Sequence, residues 1–303
     1  MGKKRLSFCW FGIDGRYGKW KDGLWKAMQI LEQSYEVKYF EPKDDIESFN
    51  PDVVLFWEAS CTINGPSPES DMYKRIMGLP YKKILLFAGG PLNAIDVVGF
   101  DIVLVESKIN AEDCERQGIR YSTAFGVNDS IFYPEEKKKI FDATYQATCA
   151  SWKRQELVAK ALHDKVVFCG RDQKSDPQPF IEARKSSLVL PELPMEAVAT
   201  LLNSSHCVVN GASFWGGGQR CTLEALACDI PVIVMEDSPK NREYIEESQC
   251  GLIVRPEVDE IRKAVEYIKE HKYEFEGKGV NYIKNKYTAQ HYADAIQVAI
   301  ESL

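Results

Sequence analysis

Nowhere in this chain do apolar residues run long enough to cross a bilayer. A spanning helix needs about 18 or more, and polar residues interrupt every run before that. The start, MGKKRLSFCWFG, is basic but carries only a short strand-like apolar part, so a secretory leader is not expected and the cytoplasm is the expected location. The nine cysteines include no C-x-x-C pair, which removes zinc-ribbon and redox-pair readings. Scattered through apolar and helical runs, they read as buried, reduced thiols. Excess positive charge is missing too: the formal net charge is -7, so no global field draws in nucleic acid or an anionic membrane. No histidine precedes His163, and no D-x-D acidic pair marks a metal site. The glycines after the first strand, Gly12, Gly15 and Gly18, miss the G-x-G-x-x-G spacing of dinucleotide-binding folds, and no GKS or GKT marks a Walker A loop.

What is present is an alternation of short apolar runs with amphipathic ones. LSFCWFG, EVKYFE, DVVLFWE, KKILLFAGG and DIVLVES read as strands, and DGLWKAMQILEQS as a helix with Leu24, Met28 and Leu31 on one stripe. Runs such as VVLF and ILLF are apolar on both faces, which predicts a parallel sheet covered by helices. The rhythm breaks at GVNDSIFYPEEKKK and then resumes with KVVFCG, LVLPE, CVVNG, PVIVME and GLIV between helical segments. A length of 303 residues suits two domains. The expectation is therefore two Rossmann-like α/β domains facing across a cleft. Residues 1–134 form the first and 135–285 the second, and 286–303 read as a further amphipathic helix.

The densest chemistry lies in GASFWGGGQRCTLEALACDIPVIVMEDSPKNREYIEESQCG, from Gly211 to Gly251. Gly216, Gly217 and Gly218 precede a helix-like run, and glycines before a helix start let backbone N–H groups approach an anion closely. Arg220 adds a five-donor fork suited to phosphate. Glu224 suits hydroxyls, as of a ribose or sugar, and a carboxylate on an otherwise apolar helix start needs such a partner. Thr222 serves either phosphate or the helix cap. Phosphate donors with a carboxylate one turn on read as a site for a nucleotide or sugar nucleotide. Elsewhere, Asp14 is a turn residue or a cleft carboxylate. Glu58, at the end of a strand, is an acceptor-orienting group, a base, or a residue that merely faces a turn.

These signals together resemble the GT-B glycosyltransferases, most closely the retaining group 1 or GT4 family, over nearly the whole chain. GVNDSIFYPEE resembles its interdomain pattern, SWKRQELVAKAL its K-G-x-x-x-L-x-x-A segment, LEALACDIPVIV its E-A-x-A-x-G-x-P-V-I motif, and NREYIEESQCGLIV the stretch that follows. The resemblance implies a UDP-, GDP- or ADP-sugar as donor, with no tightly bound cofactor and no metal. It gives Lys153 to the donor diphosphate and Glu224 to the ribose, and it implies that the helix over 286–303 returns to the first domain. The base would lie near Gly170 and Arg171, and the donor sugar near the loop from Asp237 to Asn241. The family's E-x7-E pair is incomplete, because Gly216 stands where its first glutamate would be. The expected function is transfer of a sugar, with retention, to an acceptor that is a glycan or small molecule rather than nucleic acid. The alternatives are a non-catalytic sugar-nucleotide or glycan-binding protein and, further off, a sugar-nucleotide epimerase.

Overall fold

The structure, a computed structural model, describes residues 2–9, 21–41, 44–57, 68–87, 92, 97–172, 174–213 and 219–303. The chain falls into two compact units, residues 1–126 with 289–303, and residues 127–288, against expected limits of 134 and 286.

The first unit runs β1 (Arg5–Cys9), α1 (Gly23–Leu31), β2 (Glu36–Phe40), β3 (Val53–Trp57), α2 (Pro68–Met77), β4 (Lys82–Phe87), β5 (Ile102–Val105), α3 (Lys108–Gln117) and β6 (Tyr121–Thr123). Its six strands form one parallel sheet in the order β2-β1-β3-β4-β5-β6. The two-residue alternation of side chains sorts each strand between two cores. Val53 and Leu55 of β3 join Leu24, Ala27, Met28 and Leu31 of α1 on one face. Val54 and Phe56 join Tyr73, Ile76 and Cys114 on the other. This is why VVLF reads as uniformly apolar. Helix α1 begins where the Asp22 carboxylate accepts the Trp25 N–H at 3.0 Å, satisfying one of the free donors of the first turn.

The second unit runs β7 (Phe141–Gln146), α4 (Gln155–Leu162), β8 (Val166–Cys169), α5 (Gln178–Ala183), β9 (Leu188–Leu190), α6 (Met195–Asn203), β10 (Ser205–Asn210), α7 (Gln219–Ala227), β11 (Val232–Met235), α8 (Pro239–Ser248), β12 (Gly251–Val254), α9 (Val258–Glu270) and α10 (Lys278–Lys286). Its parallel sheet has the order β12-β11-β10-β7-β8-β9. Helices α5 and α10 were not expected from the sequence. Helix α10 is held by Asp229, which takes the glycine place of the motif before Pro231. It adopts φ 55°, a left-handed conformation that aspartate tolerates better than most residues. Its carboxylate accepts the N–H groups of Gly277, Gly279 and Val280 at 2.7, 3.1 and 3.2 Å.

The chain then returns to the first unit as α11 (Ala289–Glu301), as expected. Tyr292, Ala293, Ile296, Ala299 and Ile300 are buried in the same core as α1. Among the described residues, no helix is long and apolar enough to cross a membrane.

Candidate functional site

In the second unit β8 and β9 lie to one side of β7, while β10, β11 and β12 lie to the other. The direction of winding therefore reverses between β7 and β10, and ligands of open α/β sheets bind beyond the strand ends at such a reversal. Two polar residues end these strands: Gln146 closes β7 and Asn210 closes β10, both buried.

Beyond β7 the chain makes a short 3-10 turn over Ser151–Lys153. Lys153 is only 6% exposed, unusual for a lysine, and its Nζ lies 4.4 Å from the Trp152 ring centroid. Its carbonyl accepts the Tyr145 hydroxyl at 2.5 Å. A Cβ on Gly211, just after β10, would come within 2.7 Å of that same carbonyl, so only glycine allows this approach. Gly170 plays a similar part on the other side. A Cβ there would sit 1.9 Å from the Ala147 carbonyl oxygen. The exposed Arg171 gives its carbonyl to the Cys149 N–H at 2.9 Å. The loop after β7 is thus clamped between the ends of β8 and β10.

Helix α7 supplies the acidic group. Glu224 is fully buried, and its Oε2 accepts from Gln146 Nε2 at 3.0 Å. Arg220, one turn earlier and about a third exposed, sets its Nε 3.7 Å from Glu224 Oε1. Cys221 lies among these charges. Burial pushes its thiol up to about 11, Glu224 adds to the shift, and Arg220 and Lys153 oppose it.

Thr222 and Asn241 meet in a buried polar cluster. Thr222 donates to Asn241 Oδ1 at 2.9 Å, and Asn210 Nδ2 donates to Thr222 at 3.0 Å. Asn241 in turn donates to Ser238 at 2.9 Å. This ties α7, α8 and β10 together. Asp237, expected near a donor sugar, forms a two-pronged ion pair with Arg154 at 2.8 and 2.5 Å. The Arg154 guanidinium holds the Asp237 carboxyl below its usual range. Arg154 itself adopts φ 54° between the 3-10 turn and α4.

Asp14, Glu58, Gly216, Gly217 and Gly218 lie outside the described residues. Sequence reading missed Gln146, Asn210 and Arg154. Their strands, FDATYQ and SHCVVN, carry other polar residues, so nothing local marked the first two. Among the described residues, no group of three or more His, Cys, Asp or Glu is placed to hold a metal ion.

A buried carboxylate with an arginine one turn away, at the winding reversal of a parallel sheet, can bind hydroxyls beside an anion. Comparison with known proteins gives this arrangement a family. Residues 132–289, more than half the chain, match glycosyl transferases group 1. No curated protein sequence matches. Among solved structures the chain is similar to a sucrose-phosphate synthase from Thermosynechococcus elongatus, at 11% identity and TM-score 0.75 over 99% of each chain. It is similar to Anabaena HepE in complex with UDP and glucose, at 12% identity and TM-score 0.74 over 100% of each chain. A glycosyltransferase from Rickettsia africae aligns at 13% identity and TM-score 0.73 over 100% of this chain and 99% of the other. These likenesses give the fold, two Rossmann-like units of the GT-B class, and the match over residues 132–289 gives the family: the chain is a glycosyltransferase and belongs to the glycosyl transferases group 1.

Proposed function

We propose that this enzyme transfers a sugar from a UDP-, GDP- or ADP-sugar to a glycan or small-molecule acceptor, with retention and without a metal. The observation that carries the reading is Glu224. It is a fully buried carboxylate at the winding reversal, bonded to Gln146, with Arg220 one turn away and the buried Lys153 in the turn that follows β7. The Anabaena HepE structures, which contain UDP, UDP-glucose, or UDP with glucose, support a nucleotide-sugar donor.

In this reading the second unit binds the donor and the first the acceptor. Glu224 accepts hydroxyls of the ribose. Lys153, Arg220 and the N–H groups of Gly217 and Gly218 meet the charge that builds on the leaving diphosphate. Gly170 and Arg171 border the base, and the loop that carries Asp237 and Asn241 borders the donor sugar. The departing phosphate oxygen takes the acceptor's proton, so no paired carboxylates of the glycosidase kind are required. Asp14 and Glu58 serve the acceptor side. The eight cysteines among the described residues are all free, which suits work in the reducing cytoplasm.

The experiment is incubation with a panel of UDP-, GDP- and ADP-sugars and acceptor mixtures, following release of free nucleoside diphosphate and the anomeric configuration of the product. Release with retained configuration supports the reading. Binding without turnover would favour a non-catalytic sugar-nucleotide-binding protein, the alternative that Gly216 in place of the family's first glutamate keeps in play.

A further inference from the structure

Gln146 is 8% exposed and closes β7 at the winding reversal of the sheet. Its Nε2 donates to Glu224 Oε2 at 3.0 Å, while its Oε1 has no hydrogen-bond partner among the described residues. The opposite orientation of the amide would set two acceptors against each other at the same 3.0 Å, so the carboxylate dictates which way it faces. A leucine would fill nearly the same volume and leave no bare acceptor in the interior. What glutamine provides over leucine at this position is the bond to Glu224. Arg220 stands farther off and on the other side of the carboxylate: its Nε is 3.7 Å from Oε1, on a side chain that is about a third exposed.

We propose that Gln146 is a positioning residue for donor recognition: its amide orients the Glu224 carboxylate against the vicinal hydroxyls of the ribose. This rests on the reading of Glu224 given above. Preference for ribose over a deoxygenated sugar then depends on a residue that need not itself touch the nucleotide.

The test is calorimetry on the full chain with whichever of UDP, GDP and ADP binds tightest, its 2′,3′-dideoxy counterpart, and inorganic pyrophosphate. The parent protein prefers ribose by about tenfold or more, the size of one charge-assisted hydrogen bond. Gln146→Leu should cut that preference to about threefold or less, with pyrophosphate affinity unchanged within about twofold. Gln146→Glu supplies a signature that a purely structural role would not. Two carboxylates about 3 Å apart share one proton. The protonated partner donates O–H where the amide donated N–H, so ribose preference is present at low pH and is lost as pH rises through the raised pKa of the pair. The parent's preference stays flat over the same range. Equal weakening of ribose and dideoxy ligands by Gln146→Leu, or a pH-independent preference in Gln146→Glu, overturns the proposal. Glu224→Ala run alongside separates the two claims. If it keeps the ribose preference, the reading of Glu224 has failed. If it abolishes the preference while Gln146→Leu retains it, only the role of Gln146 has failed.

Discussion

Replacing Lys153 by methionine removes one charge and keeps most of the side-chain volume, which makes it a probe of the anion site. The backbone at this position is held by the Tyr145 hydroxyl and by the close approach of Gly211, neither of which involves the lysine side chain. Methionine keeps an unbranched stem of similar length for the space beside Trp152. One loss to stability is the cation–π contact with Trp152, about 0.5–2 kcal/mol, and relief from burying an ammonium group offsets it. The net change in folding free energy should stay within about 1 kcal/mol. Ligand binding responds differently. A hydrogen bond from a charged donor contributes about 1.5–3 kcal/mol, so a diphosphate should bind roughly 10- to 150-fold more weakly. Calorimetry with nucleoside diphosphate, pyrophosphate and the bare nucleoside resolves this. The first two should weaken together, and the nucleoside should bind as it does to the parent. Equal weakening of all three would mean that Lys153 shapes the pocket rather than meeting the phosphates. No weakening of any would put the diphosphate elsewhere.

Glu224→Ala should lower nucleoside diphosphate affinity by about tenfold or more while pyrophosphate binds normally, as read by the same titrations. Gly170→Ala should destabilise the second unit by about 1–3 kcal/mol or more, because a Cβ 1.9 Å from the Ala147 carbonyl forces the backbone apart; thermal melts should fall by several degrees. Asp237→Asn tests the ion pair with Arg154. Because Arg154 depresses the folded-state pKa of Asp237, the pair's contribution is present above the unfolded carboxyl pKa and is lost as pH falls through the folded value. Melts of parent and variant should differ modestly near neutral pH, since both side chains are partly exposed, and converge in acid.

The strands were readable because a parallel sheet covered on both faces demands apolar residues at successive positions, as in Val53–Phe56 or Val232–Met235. Helix α5 escaped because six residues between prolines and a charged stretch carry too little periodicity to register. Helix α10 escaped for another reason. KGVNYIKNK mixes two β-branched residues, a tyrosine and two asparagines, and its start is set by Asp229, some fifty residues earlier. The site divides in the same way. Glu224 stood out because a carboxylate among Leu223, Ala225 and Leu226 is a local anomaly. Gln146 did not, because its meaning comes from a partner seventy-eight residues downstream. Thr222 and Asn241, read from sequence as ligand contacts, hydrogen-bond to each other, a pairing that no local pattern reveals.

The return of α11 to the first unit has a consequence for how the polypeptide is made. Residues 127–288 are inserted between two parts of one hydrophobic core, with Leu24 and Met28 emerging from the ribosome long before Ile296 and Ile300. At about 5–20 residues per second, the nascent N-terminal sheet waits many seconds with the surface of α1 uncovered. The inserted unit is continuous in sequence and can complete itself first. Vectorial synthesis therefore favours an inside-out order, in which the part made second folds first and the part begun first closes last. Chaperone capture of stalled chains should concentrate on the N-terminal segment and cease once translation passes Ile300.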